Sequence, residues 1–339
     1  MTDGMAAGER LTVFSGARVV VTGGLGFIGS TLVRRLLALG SDVVVLDALL
    51  PGSGANPWNL DGVSGARVVE RCDLRDAAAL RPLLAGCRFL FNLAGQTSHQ
   101  DSMSAPLVDL DINSRAQLGL LDACRTAAPR AIIVFASTRQ IYGRPDYLPV
   151  DEKHPIRPVD VNGVNKAAAE SFHLLYRRVY GLRCCALRLT NTYGPRMRIA
   201  DARQGFLGVW LRAVLEGRPF EVWGGEQLRD FIYVDDVVDA FLAAGVTPAA
   251  SGRALNIAGG APVTLRRLAE LMIAANDGGS YEMRSFPEAR QQIDIGDYCG
   301  DDRAFRSLTG WTPRIGLGEG LRRSLAFFRA HLPRYRDAA

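Results

Sequence analysis

The segment that most restricts the fold is a β-prone run, Arg18–Thr22, which passes without a break into Thr22-Gly23-Gly24-Leu25-Gly26-Phe27-Ile28-Gly29-Ser30. Apolar residues at helical spacing follow it, Leu32, Val33, Leu36 and Leu37. Strand, glycine turn and helix in that order make a phosphate-binding βα unit. Gly24 and Gly26, with Gly23 before them, let the backbone turn tightly and approach a pyrophosphate. Phe27 and Ile28 open a helix whose first N–H groups face the anion, and Gly29 lets that helix pack close to the sheet. The next apolar run, Val43-Val44-Val45-Leu46, ends in Asp47, about 20 residues beyond the glycines, where an acid accepts hydrogen bonds from a ribose diol. An Asp there repels a 2′-phosphate, so the expected cofactor is NAD and not NADP.

Apolar runs alternate with helix-length segments through the first half of the chain: Arg18–Thr22, Asp42–Asp47, Arg67–Arg71, Cys87–Leu93, Ala131–Ala136 and Arg183–Leu189. Such alternation predicts an α/β fold, a Rossmann-type doubly wound parallel sheet. Helical patterns over Leu107–Thr126 and Val164–Tyr180 separate the later strands. Beyond residue 190 the rhythm loosens, which predicts an NAD-binding domain over 1–190 and a smaller, intimately joined substrate-binding lobe over 191–339, with some chain crossing back. At the end of the third run Asp73 and Leu74 stand beside the expected cofactor cleft, Asp73 either as a contact to the adenine edge or as a helix cap. Leu93 and Ala94, in Asn92-Leu93-Ala94-Gly95, supply small residues on the other side.

Composition narrows the partners. The net charge of +5 is spread along the chain, which argues against nucleic acid. No apolar stretch is long enough for a membrane span, and six cysteines without a C-x-x-C pair fit a reduced, cytoplasmic protein with no metal site. Lys153 and Lys166 are the only lysines among 40 Lys and Arg residues, so the other 38 are arginines. A lysine kept in such a chain is either an ordinary solvated residue or one whose compact ammonium is needed.

The segments TGGLGFIGS (22–30), NLAG (92–95), STRQIYG (137–143), NGVNKAAAE (162–170), RLTNTYGPR (188–196), RDFIYVDD (229–236) and GWTP (310–313) together resemble the extended short-chain dehydrogenase/reductase family across nearly the whole chain. The resemblance implies an NAD-dependent enzyme that acts on nucleotide-diphosphate sugars. Members carry a Tyr and a Lys four residues apart on one helical face, with a Ser or Thr beside them. The Lys binds the nicotinamide ribose and lowers the phenol pKa, and the phenolate takes a hydroxyl proton as hydride passes to NAD. Lys166 matches the Lys and Thr138 the hydroxyl, but the Tyr position is Asn162. An amide cannot take up a proton near neutrality. Three readings stay open: another base (Tyr142, Tyr193 or His99), proton loss through water or Thr138 with Asn162 only positioning the sugar, or a non-catalytic NAD-binding regulatory or scaffold protein.

The resemblance also bears on the reaction. Dehydratases of the family carry an Asp-Glu pair after the Thr, and decarboxylases commonly a Glu; here stand Arg139 and Gln140, neither of which exchanges protons near neutrality. Epimerisation through a transient keto sugar is therefore the expected chemistry, with decarboxylation or dehydration as the alternative, and Arg139 retains the option of pairing with a sugar carboxylate. His99, Asn191, Arg229 and Arg290 are the remaining substrate-binding candidates, the last three on the diphosphate. Arg196, Arg198 and Arg203 form a further cluster, and Trp223 is either a stacking or a core residue. Relatives dimerise through a four-helix contact, which implies a homodimer through the two helices at Leu107–Thr126 and Val164–Tyr180.

Overall fold

The computed structural model describes residues 10–287 and 293–336. Seven strands form one sheet: β1 (Arg18–Thr22), β2 (Asp42–Asp47), β3 (Ala66–Glu70), β4 (Phe89–Asn92), β5 (Ile132–Thr138), β6 (Arg183–Leu189) and β7 (Ala254–Ile257). Their order is β3-β2-β1-β4-β5-β6-β7, and every neighbouring pair is parallel. The predicted doubly wound sheet is thus present, completed at one edge by a strand from late in the chain.

Alternation along each strand explains why both faces are covered. Val19, Val21, Val43 and Val45 pack with Leu32, Val33 and Leu36 of α1 (Phe27–Ala38) and with Val237 and Phe241 of a late helix, Val234–Val246. Their neighbours Val20, Val44 and Leu46 face the opposite way. They meet Leu80 and Leu84 of α2 (Ala77–Leu84), Leu120 and Leu121 of α3 (Ala116–Ala127), and Tyr176 of α4 (Val161–Tyr180). Residues beyond 190 therefore supply both a strand and a covering helix to the sheet. A second apolar cluster, including Trp210, Leu211, Val222, Leu268, Leu321 and Phe328, sits under the lobe formed by the helices Phe206–Leu215, Leu265–Asn276 and Leu317–His331.

Two boundaries differ from the sequence reading in ways that matter for the site. β5 continues two residues past Ala136, so that Thr138 ends the strand and caps the short turn Arg139–Tyr142 by accepting from Gln140 N at 3.2 Å. The helix expected over Leu107–Thr126 is broken into Pro106–Leu110, a π turn at Asp111–Arg115, and α3. An extra residue in one turn displaces the carbonyl ladder, and Gln117 Nε2 donates to the Ile112 carbonyl at 3.2 Å. Among the described residues no helix is long and apolar enough to cross a membrane.

One buried polar network ties α4 to the strands. Glu170 and Arg188 pair bidentately, with Nη2 to Oε1 at 2.6 Å and Nε to Oε2 at 3.0 Å. Ser137 Oγ donates to Glu170 at 2.6 Å, and Arg188 Nη1 donates to the Tyr142 hydroxyl at 2.7 Å. Every charge in it has a partner, as burial requires. Replacing Glu170 by Gln leaves the Arg188 charge uncompensated inside the sheet and is expected to cost about 3–5 kcal/mol. The drop would be read in the urea midpoint; an unchanged midpoint would mean that the pair is solvated in solution.

Candidate active site

The seven strands of the sheet being parallel, their C-terminal ends share one edge, and most of the candidate residues collect there. Gly23 follows β1 at φ 67°, and a Cβ on it would stand 2.9 Å from the Ala94 nitrogen. A Cβ on Gly29 would stand 2.1 Å from the Gly23 carbonyl oxygen, so α1 approaches the loop as closely as two backbones allow. The first helical bond of that stretch runs from Ser30 N to Gly26 O. Phe27, Ile28 and Gly29 therefore contribute amides with no intrahelical acceptor, and the first turn of α1 holds no acidic residue. Asp47 secures the loop: its Oδ2 accepts from Leu25 N and its Oδ1 from Leu49 N, both at 3.0 Å. Thr22 Oγ1 accepts from the amides of Leu93 and Ala94 at 3.2 Å each, which holds the end of β4 against the end of β1. These residues fit a dinucleotide, because the cradle admits nothing larger than glycine and presents donors to an anion.

Asp73 is engaged locally. Its carboxylate takes the Arg75 guanidinium and amide, with Nε to Oδ2 at 2.9 Å, and the guanidinium holds it below the ordinary carboxylate range. Asp76 provides the α2 cap, accepting from Ala79 N at 3.2 Å. Leu74 is buried in the apolar layer beneath.

Helix α4 begins at the cap Asp160 and carries Asn162 and Lys166 in its first two turns. Lys166 is 7% exposed; Nζ donates to the Ala136 carbonyl at 3.2 Å and lies 5.0 Å from the centre of the Phe135 ring. Burial lowers its pKa to about 8, opposed by the charge of Asp109. Asn162 is drawn into a cluster that the sequence reading did not contain. Its Nδ2 donates to Gln96 O at 2.9 Å and to Asp109 Oδ2 at 3.1 Å, and Asp109 also accepts from Asn113 at 3.0 Å and Asn165 at 2.8 Å. Asp109 and Asn113 are i and i+4 on one helical face, a spacing legible in the sequence. What was not legible is that the face points at α4.

Of the three tyrosine and histidine candidates, two are structural. The Tyr142 hydroxyl accepts from Arg188 and donates to Asn256 Oδ1 at 2.7 Å, and burial pushes its pKa up to about 12. Tyr193 lies under Gly320 and donates to Leu317 O at 3.2 Å, with its pKa likewise raised by burial. His99 differs. Its ring is half exposed, and Nδ1 stands 2.8 Å from Oδ2 of the fully buried Asp160, off the ideal hydrogen-bonding line. Although burial raises the Asp160 pKa, the His99 contact and the donors Gly163 N (2.6 Å) and Gln140 Nε2 (2.9 Å) outweigh it and hold the pKa below its ordinary value. Asp160 was missed as a site residue; an Asp just before the α4 pattern was its only signal.

Toward the lobe, Asn191 Nδ2 donates to Asp230 O at 2.9 Å and its Oδ1 accepts from Arg139 Nη2 at 2.8 Å. Arg229 is held by Asp294, Nη2 to Oδ1 at 3.1 Å, and burial lowers its pKa to about 10. Arg290 falls outside the described residues. The arginine cluster disperses: Arg198 pairs with Asp201, Arg203 with Asp101 and Asp201, and Arg196 donates to Thr31 Oγ1. Trp223 donates to Glu221 Oε2 at 3.1 Å.

Comparison with known proteins identifies the family. The sequence model of the NAD dependent epimerase/dehydratase family matches residues 19–258. A UDP-glucose 4-epimerase of Mycolicibacterium smegmatis is 35% identical over 318 residues, covering 92% of this chain and 98% of that protein. A dTDP-glucose 4,6-dehydratase of Streptomyces griseus is 32% identical, covering 92% and 94%. Among solved structures, the Thermus thermophilus UDP-glucose 4-epimerase complex with NAD is 30% identical with a TM-score of 0.81, covering 92% of this chain and 99% of that one.

The buried ammonium predicts a pH signature. Since the folded pKa of Lys166, about 8, lies below the unfolded value, the unfolded chain binds more protons between pH 8 and 10, and stability rises across that window. Below pH 8 the full penalty applies. Lys166→Met is therefore expected to be more stable than the parent by about 2–3 kcal/mol at pH 7, the gap closing by pH 10 in urea titrations. A gap independent of pH would show that the amine is not desolvated.

Proposed function

The chain belongs to the NAD dependent epimerase/dehydratase family and is an enzyme of its extended short-chain dehydrogenase/reductase type, and on that premise we propose that it epimerises a nucleotide-diphosphate sugar through a transient keto intermediate, with His99 as the proton acceptor. The observation that carries this is a single imidazole backed by a buried carboxylate, His99 against Asp160, with no second acid–base pair after Thr138. Epimerisation needs one proton acceptor that later returns its proton. Dehydration needs an additional acid and base.

Bound NAD supplies the acceptor and donor of hydride. The residues of the chain do the rest. Gly23, Gly26 and the amides of Phe27, Ile28 and Gly29 receive the pyrophosphate, Asp47 the adenosine ribose, and Lys166 the nicotinamide ribose. Asp73, Leu74, Leu93 and Ala94 border the cofactor. Thr138 Oγ donates to the sugar oxygen, and His99 Nε2 takes the hydroxyl proton while Asp160 keeps Nδ1 protonated and the imidazolium compensated. Asn162 positions the sugar side of the cleft without exchanging a proton. Asn191, Arg229 and Arg290 are assigned to the diphosphate.

Proton NMR of a panel of nucleotide sugars incubated with the holoenzyme tests the reading; unchanged sugars throughout, with NAD bound, would overturn it. His99→Gln is expected to lower kcat by about 10²–10⁴-fold, and added imidazole to restore part of the rate in His99→Ala. Asp160→Asn, which keeps the helix cap but favours the wrong tautomer, should lower kcat with little change in KM.

We also propose a homodimer in a cytoplasmic, reducing compartment. Its six cysteines are unpaired. Leu107 (74% exposed), Val108, Val164 and Val179 leave an apolar face on the Pro106–Leu110 helix and α4. Light scattering should return about twice the 36.7 kDa chain mass, and Leu107→Glu the mass of one chain.

A further inference from the structure

Among the described residues the most buried arginines, Arg188, Arg198 and Arg229, are each ion-paired, with Glu170, Asp201 and Asp294. Arg139, which directly follows Thr138, has no ion-pair partner among the described residues. Its Nη2 donates to Asn191 Oδ1 at 2.8 Å, while Nη1 is shielded from solvent and has no acceptor among the described residues. The guanidinium lies over the Tyr298 ring, 5.0 Å from its centroid.

Carboxylates are close, yet committed elsewhere. Asp230 and Asp294 both act on Arg139 electrostatically. Asp230, however, accepts from the Thr190 hydroxyl through Oδ1 and from Gly300 N at 3.2 Å through Oδ2. Asp294 accepts from Arg229 through Oδ1 and from Gly296 N through Oδ2, both at 3.1 Å. Burial accordingly disfavours the charged form of Arg139, and its neighbour Arg229 carries the same sign. A desolvated guanidinium with a free edge is a receptor for an anion, and its planar fork matches a carboxylate.

We propose that Arg139 receives a carboxylate borne by the sugar, so that the substrate class is a nucleotide-diphosphate uronic acid or another acidic sugar. This rests on the nucleotide-sugar reading above and specifies its sugar. Arg139 is the residue next to Thr138, whose hydroxyl serves the reacting sugar oxygen, and Arg229 serves the diphosphate. No bond is made or broken at Arg139; it binds and orients. The diphosphate is the other anion within reach, through the shared partner Asn191, and the test separates the two.

Affinities of the NAD-loaded protein for UDP, UDP-glucose and UDP-glucuronate are measured by calorimetry, for the parent, Arg139→Gln and Arg139→Lys, with thermal unfolding as the check on folding. The readout is the ratio of the UDP-glucose Kd to the UDP-glucuronate Kd, which divides out any general effect of a substitution. The parent ratio is expected at about 10–100, falling to about 1 in Arg139→Gln, with Arg139→Lys between them. A parent ratio near 1, a ratio that survives in Arg139→Gln, or a loss of UDP affinity equal to the loss for UDP-glucuronate would overturn the proposal. UDP-glucose that binds and is epimerised at a ratio near 1 removes the carboxylate and leaves the function standing. Failure of all three probes to bind to the NAD-loaded protein counts against the nucleotide-sugar reading and overturns the proposal with it.

Discussion

A parallel sheet sends the C-terminal end of every strand to one edge, and this constraint organises the whole molecule. Thr22 at the end of β1, Asp47 at the end of β2, Asn92 at the end of β4 and Thr138 at the end of β5 all arrive there because the register between neighbours is continuous. The backbone polar groups at such ends have no further strand to pair with. They are satisfied by side chains instead, as when Thr22 accepts the two amides that follow β4, or Asp47 those on either side of the cleft. Structural satisfaction and ligand recognition therefore fall on the same few residues.

Within that edge the buried charges divide by how completely the protein satisfies them. Glu170 and Arg188 meet each other and their neighbours in full. Among the described residues Lys166 has one carbonyl and a ring face, and Arg139 one amide oxygen and a ring face. The same desolvation that makes the first pair a fastening makes the other two costly in the ligand-free protein. Residues left short of partners in this way stabilise the complex more than the free protein, which is the arrangement a binding site requires.

The sequence discloses the sheet because a parallel strand buried on both faces is an unbroken apolar run, as in Val43–Leu46, and discloses the cofactor cradle because only glycine tolerates the closeness found at Gly23 and Gly29. Less was legible where an element's direction decides the outcome. Asp109 and Asn113 form a recognisable i, i+4 pair, but Asn113 sits inside a π turn that sets which way the pair faces, and nothing in composition announces that turn. The Arg196, Arg198 and Arg203 run looks like an anion site in one dimension; Asp201 and Asp101 disperse it in three. Asp160 was readable as a cap, not as the carboxylate that His99 meets.

If Asn162 stands where the family resemblance places a helix tyrosine, different demands fall on its neighbours. A phenol depends on a nearby cation to lose its proton near neutrality, whereas a neutral imidazole already carries an acceptor nitrogen. In the proposed chemistry, with Asn162 at that position, Lys166 need not tune a base and only binds, so an amine brought down to about 8 by burial does no harm to it. Asp160 then takes over the supporting part, because the carboxylate that caps α4 through Gly163 N also lies against His99. In the proposed chemistry, the cap that starts the helix carrying Lys166 is also the group that orients the base, so one side chain bears on the positions of both.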